Sequence, residues 1–200
     1  MKFSIDIQKV IPFGYLFLVI IGILKESVLY YQLGINILKY SSIMDILISP
    51  IATLAANPIV IIALLVLVVL CYSYPFLLSK QRHKKWAQKL SSLKNGETMS
   101  EDEISRHFTK IAIGVLASGL LSFFIGIGLG EGKNLKSKII NQKLSHNHKL
   151  NYNSGESEEI YLINSNSIYS FYVAKGSKTI KIVPIGSIKS IEFTTNKMLK

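Results

Sequence analysis

Residues 58–78 read PIVIIALLVLVVLCYSYPFLL, a run of 21 residues without a charged side chain. The hydrocarbon core of a bilayer is about 30 Å thick, and an α-helix needs roughly 20 apolar residues to cross it. Charged residues are in fact missing all the way from Ile46 to Ser79, and again from Ile111 to Gly130. Both stretches therefore predict membrane-spanning helices, over about 58–79 and 110–130.

An apolar run also extends from Val10 to Leu24, which is short for a full crossing. The helix can continue past Lys25 and Glu26, with the lysine reaching towards the headgroups and two tyrosines placed at the membrane interface. No small-residue cleavage site follows the run, as it would in a signal peptide. We therefore predict an uncleaved span over about 10–32, which Gly34 can terminate.

The segment between the first two spans has the signals of a short helix. Ser42, or the serine before it, can cap this helix, and Asp45 is favourable in its first turn. Pro50 is expected to break or kink it. About fourteen residues are too few for a complete crossing. We predict an interfacial or re-entrant helix over 41–56; a helical hairpin that turns at the following Asn-Pro pair is the alternative.

Basic residues are concentrated between the second and third spans. Residues 80–110 contain eight basic and four acidic side chains, within a chain of net charge +11. Because Lys and Arg are enriched in cytoplasmic loops, we expect loop 80–109 in the cytoplasm and the C-terminal domain outside it. A milder basic cluster after residue 130 weighs against this orientation. The side chains expected at the membrane boundary, in contact with lipid, are Lys80, Arg82, Lys84, Lys85 and Trp86.

The third span begins with a capping signal and continues with a small-residue stripe. Ser100 and Glu103 fit a capping box, which predicts a helix starting near Glu101. Small residues let helix backbones approach closely in lipid. Three alternatives follow for the stripe: packing against the second span, self-association, or lining a pore. Its members recur at every fourth position and are Gly114, Ser118, Ser122, Gly126 and Gly130.

After residue 130 the composition changes from apolar to polar and basic. Residues 131–153 are expected to form a tether or an amphipathic helix. Four short runs rich in Ile, Tyr, Phe and Val then alternate with turn residues, which is typical of strands. They cover 159–164, 167–174, 179–184 and 189–194, and a less clear fifth run covers 149–153. We predict a small antiparallel β domain over 154–200 that leans on the helices or on copies of itself, because so short a domain is marginal alone.

No pattern of catalytic, cofactor-binding or metal-binding residues emerges from the sequence. The single cysteine, Cys71, cannot form an intrachain disulfide, and the four histidines lack the spacing of a helical metal site. The candidates for polar catalytic residues at a membrane interface are Lys25, Glu26 and Asp45, and they are too few to specify a reaction. The basic residues flank the spans, so anionic lipid explains them more simply than nucleic acid does.

Two adjacent features follow the first span: the pair Tyr30-Tyr31 and the sequence LGINILKY at 33–40. This arrangement resembles that of uncharacterised small bacterial membrane proteins, in which an aromatic pair precedes a similar Gly-Ile-x-Ile-x-x-Tyr stretch. The resemblance covers about residues 10–50. It implies a multi-pass protein of the bacterial inner (cytoplasmic) membrane, and it implies no activity.

The combined expectation is an α-helical membrane protein with about three transmembrane helices, a short interfacial or re-entrant helix and a small C-terminal antiparallel β domain. We expect a non-enzymatic protein that associates with itself or with a membrane partner protein, surrounded by membrane lipid and without a cofactor. A small oligomeric channel or membrane-perturbing effector is the first alternative, and a membrane enzyme is the second.

Overall fold

The computed structural model describes residues 7–80, 84 and 101–194. In this part of the chain, four α-helices precede five β-strands. The helices are α1 (Ile7–Tyr31), α2 (Ile43–Ala56), α3 (Pro58–Lys80) and α4 (Glu101–Ile140), and the strands are β1 (His148–Tyr152), β2 (Ser157–Ser165), β3 (Tyr169–Ala174), β4 (Ile180–Pro184) and β5 (Ile188–Phe193). Short 3-10 helices occupy Ile37–Lys39 and Ile185–Ser187. The chain divides into two compact units, Met1–Pro50 with Gly126–Lys200, and Ile51–Ile125.

Two of the described helices are long and apolar enough to cross a membrane. They contain the segments Ile11–Tyr31 and Arg106–Ile140. Helix α2 and Pro58–Cys71, the first part of α3, pass the same test together, as a pair bent by 103° at a short break. The predicted apolar helices near 10–32 and 110–130 are therefore present, and the predicted span at 58–79 forms the second half of the bent pair.

The predicted C-terminal end of α1 and the predicted N-terminal end of α2 are confirmed. Gly34 has a φ of +75°, and its N–H donates to the Tyr31 carbonyl at 3.1 Å, which closes α1. Helix α1 itself begins at Ile7, three residues before the predicted start. Ser42 caps α2, because the Asp45 N–H donates to Ser42 Oγ at 3.1 Å and the Ser42 N–H donates back to the Asp45 carboxylate at 2.9 Å.

The sequence predicted that Pro50 breaks or kinks this helix, and the break is not found. Helix α2 continues through Pro50 to Ala56, although a proline inside a helix lacks one hydrogen bond and crowds the carbonyl four residues before it. The break comes at Asn57 instead, where the Ile59 N–H donates to Asn57 Oδ1 at 3.1 Å and Pro58 occupies the first position of α3. The bend of 103° is neither a straight continuation nor an antiparallel hairpin.

Helix α4 begins at Glu101, as predicted, whereas the capping residue Ser100 lies outside the described residues. The helix has 40 residues and reaches Ile140, so it includes the first ten residues of the expected tether. At a rise of 1.5 Å per residue, a helix of this length measures about 60 Å, roughly twice the thickness of a bilayer core.

The five strands form one antiparallel sheet with the order β4-β3-β2-β1-β5. Strands β1 to β4 are a simple meander, and β5 returns to pair with β1. The four predicted runs match β2 to β5 closely. Strand β1 corresponds to the less clear fifth run and lies inside the stretch expected as a tether.

The two faces of the sheet pack against different partners. Phe171 and Tyr172 are neighbours in β3 and both are fully buried, although their side chains point to opposite faces. Tyr172 packs with Leu150 and Ile160 in a hydrophobic core on one face of the sheet. Phe171 packs with residues of α1 and the segment after it, namely Leu29, Tyr30 and Ile37. The sheet therefore leans on the helices, as its small size predicts.

Candidate functional site

Two adjacent charged residues of α1 are buried. Lys25 is 5% exposed and Glu26 is 7% exposed, and Lys25 Nζ lies 2.8 Å from Glu26 Oε1. Lys25 Nζ also donates to Ser49 Oγ of α2 at 3.2 Å, and Ser49 Oγ donates to Glu26. The three side chains form a closed triangle of polar contacts between α1 and α2, which we call the polar cluster.

A close approach of backbones positions Ser49 beside α1. A Cβ atom at Gly22 would overlap the carbonyl oxygen of Ile46, so only glycine allows this contact. Pro50 explains why this oxygen is available: it is four residues after Ile46 and has no N–H to donate to it. The Gly22 Cα–H can act as a weak donor to the same oxygen.

Helix α4 packs against α1 through two glycines one turn apart. A Cβ at Gly128 would lie 2.5 Å from the Lys25 carbonyl oxygen, and a Cβ at Gly132 would lie 2.8 Å from that of Leu29. The Gln32 amide adds a hydrogen bond of 3.1 Å to the Leu129 carbonyl. Because both contacts advance by four residues along each helix, α1 and α4 run parallel.

The same packing brings a second carboxylate to the polar cluster. Glu131 Oε2 lies 4.0 Å from Lys25 Nζ, and the Glu131 side chain is 49% exposed. Lys25 thus contacts groups from α1, α2 and α4. Polar side chains that pair between helices hold apolar helices together and fix their register.

The polar cluster contains a serine within reach of a lysine, which is the pairing of a nucleophile and a base. The hydrogen bonds run in the opposite sense, however. Lys25 donates a hydrogen bond to Ser49 Oγ, and the Ser49 hydroxyl donates its own hydrogen bond to Glu26 rather than to Lys25. The arrangement therefore suits an internal link between helices and does not prepare Ser49 for attack on a substrate.

The sheet is attached to the junction between α1 and α2 by the turn after β2. Asp45 accepts hydrogen bonds from the Ser167 N–H at 3.0 Å and the Ser167 hydroxyl at 2.9 Å. The Asn166 side-chain amide donates to the Tyr40 carbonyl at 2.8 Å. Aromatic contacts extend the attachment, with ring centroids 5.3 Å apart for Tyr30 and Phe171.

A second polar group lies within the sheet. Lys181 Nζ contacts both oxygens of Glu158, at 2.7 and 2.9 Å, and lies 5.9 Å from the ring centroid of Tyr172. The Tyr172 hydroxyl is hydrogen-bonded to that of Tyr152. Burial, reinforced by this hydrogen bond, raises the pKa of Tyr172 well above its ordinary value, so the phenol stays neutral. Among the described residues, no group of three His, Cys, Asp or Glu is arranged to hold a metal ion.

The structure places the predicted small-residue stripe away from the helix contacts of α4. A Cβ at Gly114, Gly126 or Gly130 would have no neighbour within 4 Å among the described residues. The contact with α3 is made instead by Gly119, whose Cβ would lie 3.0 Å from Cys71 Sγ. Among the described residues, the glycines of the stripe therefore make no close contact with α3, and packing through the stripe stays a prediction.

Of the residues predicted at the membrane boundary, Lys80 is the exposed last residue of α3, and Lys84 is exposed. The other three, Arg82, Lys85 and Trp86, lie outside the described residues. Sequence reasoning missed Ser49 and Glu131, because nothing local links them to Lys25. The Gly128–Gly132 pair carried a usable signal, since glycines four residues apart mark close helix contacts.

No protein-family model matches the chain, and no significant match was found among curated proteins or among solved structures.

Proposed function

We propose that this chain is an integral protein of the bacterial inner membrane that crosses the bilayer three times and acts, without catalysing a reaction, by associating with itself or with another membrane protein. The parallel packing of α1 and α4, through Gly128 and Gly132, is the observation that carries the proposed topology.

Parallel spans leave the membrane on the same side. If α1 and α4 both cross, their C-terminal ends emerge together, next to the sheet that packs on Tyr30. The chain from residue 32 to residue 100 must then return once to the opposite side. The bent pair α2–α3 can supply that crossing, with its first helix entering at an angle. The basic segment 80–109 would then be cytoplasmic and the sheet extracytoplasmic.

Two features support an assembly role over an enzymatic one. The polar cluster uses its hydrogen-bonding groups on one another, which leaves Ser49 occupied. The small-residue stripe, by contrast, presents Gly114, Gly126 and Gly130 to open space on a helix that is apolar over most of its length. Such a stripe lets a second helix approach closely in lipid, so a second copy of this chain is the partner that we propose.

The topology is tested by reporter fusions after Lys94 and after Lys200. The proposal expects a cytoplasmic signal at the first position and an extracytoplasmic signal at the second. Signals from the same side at both positions would rule out a single crossing by α4.

Association is tested by disulfide crosslinking in membranes, in a Cys71→Ser background. Ser118→Cys, on the stripe, is expected to give a crosslinked dimer. Ile113→Cys is the matched control, because it is 63% exposed on a different side of the same helix. Equal crosslinking at the two positions would contradict association through the stripe.

A further inference from the structure

The end of α4 carries three lysines beyond its apolar run, which ends at Gly130, and the two nearest to the run are Lys133 and Lys136. Lys133 and Lys136 follow by three and six residues, or about 5 and 9 Å along the helix axis. The headgroup layer of a bilayer adds about 5–8 Å to each side of the hydrocarbon core. Under the proposed membrane placement, on which this inference rests, both ammonium groups therefore reach the headgroups on the side of the sheet.

Both lysines lie on the exposed surface of α4. Gly132 is buried on the side towards α1 and Ile139 is also buried, whereas Lys133 and Lys136 are exposed. Lys133 is seven residues after Gly126, and two helical turns place it on the same side of the helix. Gly126 also has open space around it. Lys133 is consequently on the side away from α1, and Lys136, which is exposed one turn after Gly132, lies at the border of the contact with α1.

Their positive charges are not neutralised within the described part of the protein. Glu131 is the nearest carboxylate in sequence, but two residues correspond to a rotation of about 200° around the helix. Its carboxylate accordingly lies near Lys25, at 4.0 Å. No ion pair joins Lys133 or Lys136 to a described carboxylate, and residues 132–153 contain no acidic side chain.

We propose that Lys133 and Lys136 bind the headgroup of an anionic phospholipid in the leaflet on the side of the sheet. Two ammonium groups three residues apart, on one side of a helix and at headgroup depth, are complementary to a lipid phosphate that carries net negative charge. A zwitterionic headgroup offers no net charge and gains less from the same contact. This preference surrounds the end of α4 with anionic lipid.

The test measures lipid preference locally, so that the basic segment 80–109 does not dominate the result. The full chain with Cys71→Ser and Ser137→Cys carries a fluorophore at position 137, one turn after Lys133. Quenching is compared in vesicles that contain brominated phosphatidylglycerol or brominated phosphatidylcholine. Phosphatidylglycerol should be preferred, by about fivefold for each lysine that contributes. Lys133→Gln with Lys136→Gln should abolish the preference, and Lys178→Gln with Lys189→Gln, exposed lysines of the sheet domain, should preserve it.

Three results would overturn the inference, and they differ in what else they contradict. Equal quenching by the two lipids before any lysine is changed means that no anionic lipid is preferred at this site. An equal loss in the control variant means that only net charge matters. Absence of quenching by either lipid would contradict the membrane placement itself, and the proposed function would fail with it.

Discussion

Gly22 of α1 packs directly against the backbone carbonyl of Ile46 in α2, at a distance that leaves no room for a Cβ atom. Pro50 creates the opportunity, because a proline four residues after Ile46 cannot donate a hydrogen bond to that carbonyl. One glycine and one proline, in different helices, thus set the closest approach between α1 and α2. Ser49 reaches the polar cluster as a result.

Gly22→Ala is expected to destabilise the protein by about 1–3 kcal/mol, because the added methyl group forces α1 and α2 apart. Chemical unfolding in detergent micelles, followed by circular dichroism, measures the loss. Gly14→Ala is the control, since a Cβ at Gly14 has no neighbour within 4 Å. Similar losses for the two variants would show that the helix contact is not the cause.

The contact between α1 and α4 can be tested with two glycines of the same helix. Gly128→Ala should cost about 1–3 kcal/mol of unfolding free energy, since its Cβ would lie 2.5 Å from the Lys25 carbonyl oxygen. Gly130→Ala has open space and should be neutral or slightly stabilising, because alanine favours a helix. A reversed order in the same unfolding assay would contradict the parallel packing of α1 and α4.

Removing one partner of the buried ion pair should cost more than removing both. Lys25→Met leaves the Glu26 carboxylate buried without its cation, and the expected loss of stability is about 3–5 kcal/mol. Lys25→Met combined with Glu26→Gln removes both charges and should recover most of that loss. The comparison again uses unfolding in micelles. A double variant as unstable as the single one would show that the charges themselves are not coupled.

The attachment of the sheet depends on Asp45 and Ser167, which are distant in sequence and joined by two hydrogen bonds. A double-mutant cycle with Asp45→Ala and Ser167→Ala should give a coupling energy of about 1.5–3 kcal/mol, as expected for the one hydrogen bond from the Ser167 hydroxyl to a charged group, since the Ser167 backbone N–H is kept in the variant. The cycle separates this contact from the capping of α2, which Asp45 also supports through Ser42. Strictly additive effects would mean that the Ser167 hydroxyl does not stabilise the fold through Asp45.

Acid should weaken the sheet through His148. Burial lowers the pKa of this imidazole below its ordinary value of 6.5, and the ring packs on Phe193 with centroids 4.7 Å apart. The unfolded chain keeps the ordinary pKa and so binds the proton first as the pH falls. The stabilising contribution is complete above about pH 6.5 and is lost progressively below it, towards the lower pKa of the folded state.

Thermal unfolding between pH 7.5 and pH 5 measures this effect. His148→Leu keeps an apolar contact with Phe193 and removes the titrating group. The unsubstituted protein should lose stability relative to this variant as the pH falls. Parallel pH profiles for the two proteins would exclude His148 as the cause.

Local sequence patterns predicted many of the element boundaries because each depends on residues only a few positions apart. Gly34 terminates α1 since glycine adopts a positive φ at little cost, and Ser42 with Asp45 caps α2 through contacts within one turn. Alternation of apolar residues located β2 to β5. The break predicted at Pro50 could not be judged from the local sequence. The Ile46 carbonyl, which Pro50 leaves without a hydrogen bond, is accommodated by Gly22 of α1.

The sequence by itself determined which segments are apolar and which alternate between apolar and polar residues. It also determined where most of these segments end. Those properties are set by composition and by neighbours in the chain. Only the tertiary structure decided that Lys25 meets Ser49 and Glu131, and that Phe171 of the sheet packs on Tyr30. Such contacts depend on which side of each helix faces the neighbouring element. That side is selected by how closely the two backbones can approach each other. The glycines at 22, 128 and 132 provide those differences, because close contact requires the absence of a side chain where two backbones meet.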